Sequence, residues 1–190
     1  MTMGFFAECQ AKMGLAAGAA VWRRLNEVFD YLPLAALVGG RILCVHGGIG
    51  RHLQTIEQID ALARPLNVDA VREEPLLTDL LWSDPTAHDR IEGVHDNVRR
   101  GPGVACFGPD RVREFCANNQ IDLIVRAHEC VMDGFERFAS GHLVTVFSAI
   151  NYCGVAGNAG ALLLVGRDLV GRHPGLIRAK SQADFLLTSS

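Results

Sequence analysis

A short apolar run that ends in a polar, glycine-containing loop recurs three times, and this pattern constrains the fold more than any other feature. The runs span residues 42–45, 121–125 and 143–147. Their β-branched content and their length predict buried strands. Loops that follow neighbouring buried strands meet at one edge of a sheet, so the sequence predicts a site assembled there from distant parts of the chain.

Two of these loops carry a histidine. His46 follows the first run and precedes Gly47 and Gly48, which allow a sharp turn and a close approach to a ligand. Taken alone, this stretch is more often a core histidine in a tight turn. His128 follows the second run, 82 positions later, and neutral imidazole is a common ligand of divalent metals. The recurrence favours a metal site.

Two further side chains suggest the chemistry of such a site. Arg100, in a glycine-flanked loop, suits bidentate binding of a phosphate, and Tyr152, beside the third strand, could hydrogen-bond an oxyanion. The alternatives are a solvated loop charge for Arg100 and a packing role for Tyr152. Together with a metal, the two residues predict phosphoester hydrolysis. Cys130 and Cys153 are interpreted as bystanders, since neither has the surroundings that lower a thiol pKa.

Composition excludes several classes of partner. The 190 residues fit one domain, and the net charge of −3 predicts no general attraction to nucleic acid or to anionic membranes. Six scattered cysteines without a Cys-x-x-Cys pair are typical of reduced thiols, which predicts an intracellular protein of the cytoplasm or nucleus. No secretory signal is visible, and the apolar segment 14–21 is too short to span a bilayer.

Periodicity predicts an alternation of helices and strands. Predicted helices span residues 3–13, 19–31, 55–63 and 109–116, with a compact apolar element at 76–82 that ends at Trp82, a candidate groove wall. Predicted strands span 34–38, 41–45, 121–125, 135–138, 142–147 and 159–165. Residues 86–103 are polar and rich in glycine, which predicts a surface loop. The remaining five histidines are predicted to lie on the surface: His52, His88, His95, His142 and His173.

Six motifs occur in an order that resembles a known family. They are Cys-Val-His-Gly-Gly-Ile (44–49), Leu-Leu-Trp-Ser-Asp-Pro (80–85), Arg-Gly (100–101) before Phe-Gly (107–108), Val-Arg-Ala-His-Glu (125–129), Ser-Ala-x-Asn-Tyr-Cys-Gly (148–154) and Asn-Ala-Gly-Ala (158–161). From about residue 3 to 169, the chain resembles the catalytic domain of the metal-dependent PPP-type serine/threonine protein phosphatases. Within that family, its sequence is most similar to the plant and algal branch that carries N-terminal Kelch repeats.

The resemblance implies a fold, a cofactor and residue roles. The fold would be an α/β metallophosphoesterase (calcineurin-like) sandwich of two mixed β-sheets flanked by helices, incomplete at the N-terminus. Two divalent metal ions (Mn, Fe or Zn) would activate a water that attacks phosphoserine or phosphothreonine in line. His46 and His128 would be metal ligands, Arg100 a phosphate clamp and Tyr152 a substrate-side residue. Ile150 departs from the family pattern, and the neighbour Arg99 leaves open which arginine faces the site.

The resemblance also implies what the chain lacks. The family motifs Gly-Asp-x-His-Gly, Gly-Asp-x-x-Asp-Arg-Gly and Gly-Asn-His-Glu, which supply further metal ligands and a general acid, are absent. Residues 1–170 are therefore predicted to be the C-terminal part of a catalytic domain, and residues 171–190 a poorly ordered tail. Such a fragment is expected to be inactive alone.

Phosphoprotein substrates and regulatory proteins would be the partners of the complete domain, with no nucleic acid and no membrane. Two alternatives remain. One is a non-catalytic remnant that acts as a binding or scaffold module. The other is a phosphoesterase for small molecules, which Trp82 and the Tyr152 loop make less favoured.

Overall fold

A mixed five-stranded sheet forms the centre of the computed structural model, which describes residues 4–66, 73–166 and 175–179. The order of its strands is β1-β2-β6-β8-β7. They are β1 (Ala35–Val38), β2 (Ile42–Val45), β6 (Leu123–Arg126), β7 (Phe135–Phe138) and β8 (Leu143–Val146). The three central strands β2, β6 and β8 are parallel, so their carboxyl ends share one edge, as the sequence predicted. The edge strands β1 and β7 pair antiparallel.

Both faces of the central strands are apolar, as is usual for parallel strands. The inner face carries Leu43, Ile124 and Leu143, all fully buried, and it belongs to a large core with the helices. We call the opposite side the outer face. Its six residues in the central strands are Ile42, Cys44, Leu123, Val125, Val144 and Val146. The alternation follows from the two-residue period of a strand.

Two helices cover the inner face. α5 (Pro109–Asn118) begins with a proline at its first position, where the missing N–H is no loss, and buries Val112, Phe115 and Cys116. α4 (Pro75–Trp82) is capped by the Glu74 side chain, which accepts a hydrogen bond from the Leu76 N–H. The buried apolar side chains of both helices pack in one core with the inner face of the sheet.

Two other helices form a hairpin of their own. α1 (Phe5–Met13) and α2 (Leu15–Phe29) meet through Phe5 on Phe29 and Phe6 on Trp22, with ring centroids 5.8 and 5.3 Å apart. Gly18 permits this contact, because a Cβ there would lie 2.5 Å from the carbonyl oxygen of Cys9. Most large apolar side chains of the hairpin remain partly exposed.

Two small sheets complete the described fold. One contains β3 (Asp84–Pro85), β4 (Val94–Asp96) and β5 (Ala105–Phe107) in the order β3-β5-β4, and the other pairs β9 (Gly160–Leu164) with β10 (Gly175–Ala179). No helix in the described ranges is both long and apolar enough to cross a bilayer.

Several predicted boundaries were wrong. α2 begins at Leu15 rather than at residue 19, since the small residues before the apolar stripe are also helical. The helix predicted over 55–63 is a single turn, α3 (Glu57–Asp60), which ends at its C-cap Ala61. The predicted surface loop 86–103 contains β4 and the buried Asn97. Within the tail, β10 is described, and the rest of residues 171–190, with His173, lies outside the described residues.

Candidate metal centre

His46 and His128 lie side by side at the carboxyl ends of β2 and β6. The two strands are adjacent and parallel, and the backbone N–H of Ala127 donates to the carbonyl oxygen of His46. The Nε2 atom of His46 lies 3.1 Å from the Nδ1 atom of His128, and the ring centroids are 4.9 Å apart. The predicted convergence of two residues 82 positions apart is therefore confirmed.

The loop that carries His46 is held by α4. The Gly47 N–H donates to the Leu80 carbonyl oxygen at 2.7 Å, and a Cβ on Gly47 would lie 2.6 Å from the Trp82 nitrogen. The next turn of this loop is fixed by the fully buried Asp79, whose carboxylate accepts from the Arg51 N–H and, at 3.0 Å, meets the Nδ1 atom of His52. Glycine is thus required where the loop touches the helix.

His128 adopts left-handed backbone (φ 60°), which is uncommon for a residue with a side chain. Its ring packs edge-on against Trp82 at 5.5 Å, which supports the prediction of a wall formed by this tryptophan. Burial, followed by the charge of Arg100, lowers the pKa of His128 to about 4. Burial and then Arg126 also lower the pKa of His46. Both rings are therefore neutral near pH 7 and keep a lone pair for a metal.

The geometry of the pair fits two ligands of one metal ion. Two metal–nitrogen bonds of about 2.0–2.1 Å at tetrahedral to octahedral angles place the nitrogens roughly 2.9–3.4 Å apart, and the observed separation is 3.1 Å. The Nε2 atom of His128 is buried and has no hydrogen-bond partner among the described residues. In the same ranges, no group of three or more His, Cys, Asp or Glu residues is arranged to hold a metal. The described residues therefore bring two imidazole nitrogens together, and the predicted role of the pair as metal ligands stays a prediction.

A buried ion network lies beside the histidines, centred on Asp84 in β3. Its Oδ2 atom accepts from Arg100 Nε at 2.9 Å and from Asn97 Nδ2 at 2.8 Å, and its Oδ1 atom accepts from Arg126 Nη2 at 2.8 Å. Burial alone would raise the pKa of Asp84, but the hydrogen bond from Arg100 and the charge of Arg126 outweigh it and hold the pKa below its usual value. Asp84 is therefore ionised and shared by two arginines.

Arg126, the last residue of β6, is almost completely buried. Its guanidinium also donates to the Gly47 carbonyl oxygen at 2.6 Å, to the Ser83 carbonyl oxygen at 3.3 Å and to Glu129 Oε2 at 3.0 Å. One side chain thus connects the two histidine loops to the end of α4.

Arg100 and Arg99 occupy different environments. The Arg100 side chain is 27% exposed and bonded to Asp84, whereas Arg99 is 70% exposed and pairs with Glu129 at 2.8 Å. Arg100 is therefore the arginine attached to the buried network. Its predicted role as a phosphate clamp stays a prediction.

Tyr152 lies on an exposed turn after β8. Its ring packs edge-on against Phe147 at 5.2 Å, and its N–H donates to Asn158 Oδ1 at 2.8 Å. Asn151 and Cys153 on either side adopt left-handed backbone. These contacts join Tyr152 to its own loop rather than to the histidine pair, and its substrate-side role stays a prediction.

The sequence did not identify Asp84, Asn97, Arg126 and Glu129 as site residues. Asn97 is buried within the predicted loop 86–103, and Asp84 is buried just before that loop begins. One residue in the sequence could have indicated the buried ion network. An arginine at the end of an apolar strand, as Arg126 is, requires a buried partner. Cys130 and Cys153 are exposed, and so are His52, His88, His95 and His142, as predicted.

Comparison with known proteins agrees with this geometry. Residues 5–132 match the calcineurin-like phosphoesterase family. Serine/threonine-protein phosphatase BSL2 of Arabidopsis thaliana is 59% identical over 167 residues, which cover 88% of this chain and 16% of the relative. A solved protein serine/threonine phosphatase from Saccharomyces cerevisiae, with similarity to human phosphatase PP5, superimposes with a TM-score of 0.74 at 29% identity over 93% of this chain and 54% of that one.

The chain thus spans about a sixth of the length of the first relative and about half of the second. The resemblance to serine/threonine phosphatases and the metallophosphoesterase fold, with mixed sheets and flanking helices, are confirmed by these matches. Since the family match alone covers well over half of its residues, this chain belongs to the metal-dependent calcineurin-like phosphoesterase family.

Proposed function

We propose that this chain is part of the catalytic domain of a serine/threonine protein phosphatase, which hydrolyses phosphoserine and phosphothreonine in proteins. The observation that carries the proposal is the His46–His128 pair, with nitrogens 3.1 Å apart, beside a buried carboxylate that holds Arg100. The relatives support it, since both are named serine/threonine phosphatases.

His46 and His128 would hold a divalent metal ion, with Mn, Fe or Zn as candidates. Such an ion supplies an activated water and stabilises charge on the leaving oxygen. A centre with two metal ions, which the resemblance to PPP-type phosphatases implies, needs more ligands than the described residues bring together. The remaining ligands must then come from outside these residues.

Arg100 would bind the phosphate. Asp84 accepts from its Nε atom at 2.9 Å and from its Nη2 atom at 3.5 Å, so the guanidinium is oriented before substrate arrives. The Nη1 atom of this partly exposed side chain would then donate to phosphate oxygens. Tyr152, on its exposed loop, would contact the substrate from the other side. Arg99, paired with Glu129, would contribute little to phosphate binding.

A second candidate is a non-catalytic remnant that acts as a binding or scaffold module. It is favoured by the count of metal ligands, since two histidines do not make a binuclear centre. Under both proposals the 190-residue chain alone has no phosphatase activity.

Its six unpaired cysteines support an intracellular location.

A chimera tests the proposal. This chain replaces the 167 matching residues of the Arabidopsis phosphatase, and hydrolysis of one phosphopeptide is measured with Mn²⁺. The catalytic proposal requires turnover that His46→Ala and His128→Ala abolish and that the surface control His142→Ala retains. A folded chimera without turnover would favour the remnant.

The same chimera tests the arginine assignment. Arg100→Ala should lower kcat/KM by roughly 10–150-fold, because a charge-assisted bidentate contact is worth about 1.5–3 kcal/mol. Arg99→Ala is the matched control and should change kcat/KM much less, and neither substitution should change metal content. If Arg99→Ala is the damaging change, the assignment is reversed.

A further inference from the structure

The loop that begins at His46 has a second fixed point at its far end, on Asp79 of α4. We call residues 46–52 the His46 loop. The Oδ2 atom of the fully buried Asp79 accepts from the Arg51 N–H at 2.9 Å and from the His52 N–H, and it lies 3.0 Å from the Nδ1 atom of His52. One carboxylate oxygen therefore contacts three nitrogen atoms of the loop.

The backbone between these two ends has little freedom to absorb a movement. Its four residues are all buried: Gly47, Gly48, Ile49 and Gly50. A Cβ on Gly48 would overlap the ring of Phe107, and a Cβ on Gly50 would overlap the Asp79 carboxylate. Because a close-packed interior transmits strain, a displacement at the far end of the loop must move the backbone as far as His46.

A buried charge of the opposite sign meets the chain just beyond the His46 loop. Arg111 of α5 is 6% exposed, and its Nη2 atom donates to the Leu53 carbonyl oxygen. Burial lowers the pKa of Arg111, and the charges of Glu114 and Asp79 oppose that shift. The end of the loop is therefore held between a carboxylate on α4 and a guanidinium on α5.

We propose that Asp79 is a positioning residue for the metal ligand His46, because its carboxylate fixes the far end of the His46 loop and thereby the direction of the imidazole. This inference rests on the proposed function, since it takes His46 as a metal ligand. Groups that orient a ligand without touching the metal change metal affinity by about 10–100-fold when they are removed.

The chemistry of the side chain separates positioning from packing. Leucine is close to aspartate in its branching but has no acceptor, so it would leave the N–H groups of Arg51 and His52 without their partner. Asparagine keeps one oxygen in that place. A residue that only fills space would tolerate leucine at least as well as asparagine, whereas a residue that holds the loop would not.

The first measurement is the Zn²⁺ affinity of the folded chain by isothermal titration. We expect Asp79→Leu to lower the affinity by about 10–100-fold and Asp79→Asn to lower it by less than about tenfold. Asp110→Leu is the matched control, because Asp110 of α5 accepts from the Gly93 N–H at 2.8 Å and so fixes a loop that carries neither histidine of the pair. The control should leave the Zn²⁺ affinity unchanged.

Amide hydrogen exchange supplies a readout that needs no metal. The N–H groups of Arg51 and His52 bind Asp79, and that of Gly47 binds the Leu80 carbonyl oxygen. Asp79→Leu should speed exchange at all three amides by at least about tenfold. Asp79→Asn should raise the same rates less, because a neutral oxygen accepts a weaker hydrogen bond than a carboxylate does.

Two results would overturn the positioning role. One is that leucine is tolerated as well as asparagine in both measurements. The other is that faster exchange stops at Arg51 and His52 while Gly47 and the Zn²⁺ affinity stay as in the wild type. If Asp79→Leu does not fold, the asparagine variant decides by the second criterion alone.

The proposed function fails separately from this inference. A wild-type chain that binds no Zn²⁺, but whose Asp79 variants exchange faster as far as Gly47, keeps the anchored loop and rejects His46 as a ligand. Zn²⁺ binding that His46→Ala abolishes and neither Asp79 variant weakens keeps the ligand and rejects the positioning role.

Discussion

The histidine edge of the sheet and the α1–α2 hairpin depart from the usual distribution of polarity in opposite directions. At the histidine edge, the charged side chains of Asp84 and Arg126 are buried. In the hairpin, large apolar side chains such as Phe6 and Phe29 are more than 40% exposed. A globular protein normally buries its large apolar side chains and exposes its charged ones.

The difference lies in the partners. Each buried charge at the histidine edge has hydrogen-bond partners from other segments, so its position is fixed from several sides. The hairpin helices contact mainly each other. The comparison indicates that a buried charge network defines a site within the chain, whereas exposed apolar surface points to contacts that the chain does not make by itself.

Loss of the central carboxylate should have the largest effect. Asp84→Ala removes one of the two counter-ions of the buried Arg126 and leaves only Glu129, so it should lower the free energy of unfolding by about 3–5 kcal/mol. Asp122→Ala, which breaks the exposed pair with Arg41, is the matched control and should cost about 0.2–1 kcal/mol. Urea unfolding followed by circular dichroism measures both. Equal losses would show that the network is no more important to stability than a surface pair.

Removal of either histidine should weaken metal binding. Because the two nitrogens are placed for one ion, His46→Ala or His128→Ala should each reduce Zn²⁺ affinity by more than about 100-fold, exceeding the usual effect of losing an outer-shell partner. Isothermal titration of the folded chain gives the affinities. His142→Ala serves as the control and should not change them. If only one of the two histidine substitutions lowers the Zn²⁺ affinity, the two side chains do not share an ion.

The Asp84 network should also give a signature in acid. The pKa of Asp84 is lower in the folded chain than its unfolded value of about 3.9. The unfolded chain therefore binds more protons at low pH, so the contribution of Asp84 is present above about pH 4 and is lost as the pH falls below it. The stability gap between wild type and Asp84→Asn should narrow in that range. A gap that stays constant down to pH 3 would contradict this assignment.

The hairpin should give the smallest effect. Phe29 is 45% exposed, so Phe29→Ala should lower the free energy of unfolding by less than about 1.5 kcal/mol. Phe115 in α5 is fully buried, and the same replacement there should cost about 3–5 kcal/mol. Thermal or urea unfolding of the two variants compares them. A large loss at Phe29 would mean that the hairpin is part of the main core.

The same contrast explains what the sequence could predict. The strands β2, β6 and β8 and the convergence of His46 with His128 were predictable, because apolar runs of strand length and the glycines after them are local signals. The amphipathic pattern of α2 gave its apolar side correctly but contained no information on whether anything covers that side.

The ion network was not predictable from local pattern. Arg126 and Asp84 are 42 positions apart, and only the packing of β3 near the end of β6 brings them together. The stretch 86–103 has the composition of a loop, yet Thr86 and Asn97 are buried because β5 pairs with both β3 and β4 there. Burial of polar residues is set by tertiary structure, which composition does not report.

Arg126 has a consequence for protein design. The guanidinium of Arg126 binds the carbonyl oxygen of Gly47, the end of α4 at Ser83, and Glu129. The separation of the two histidines therefore depends on a side chain that is buried from solvent. A designer who grafts only His46 and His128 onto another parallel sheet would copy the ligands without the support that sets their distance. The transferable unit is the pair of loops together with Arg126 and Asp84. A lysine could not replace the arginine, because one ammonium group cannot reach acceptors spread around a planar fork.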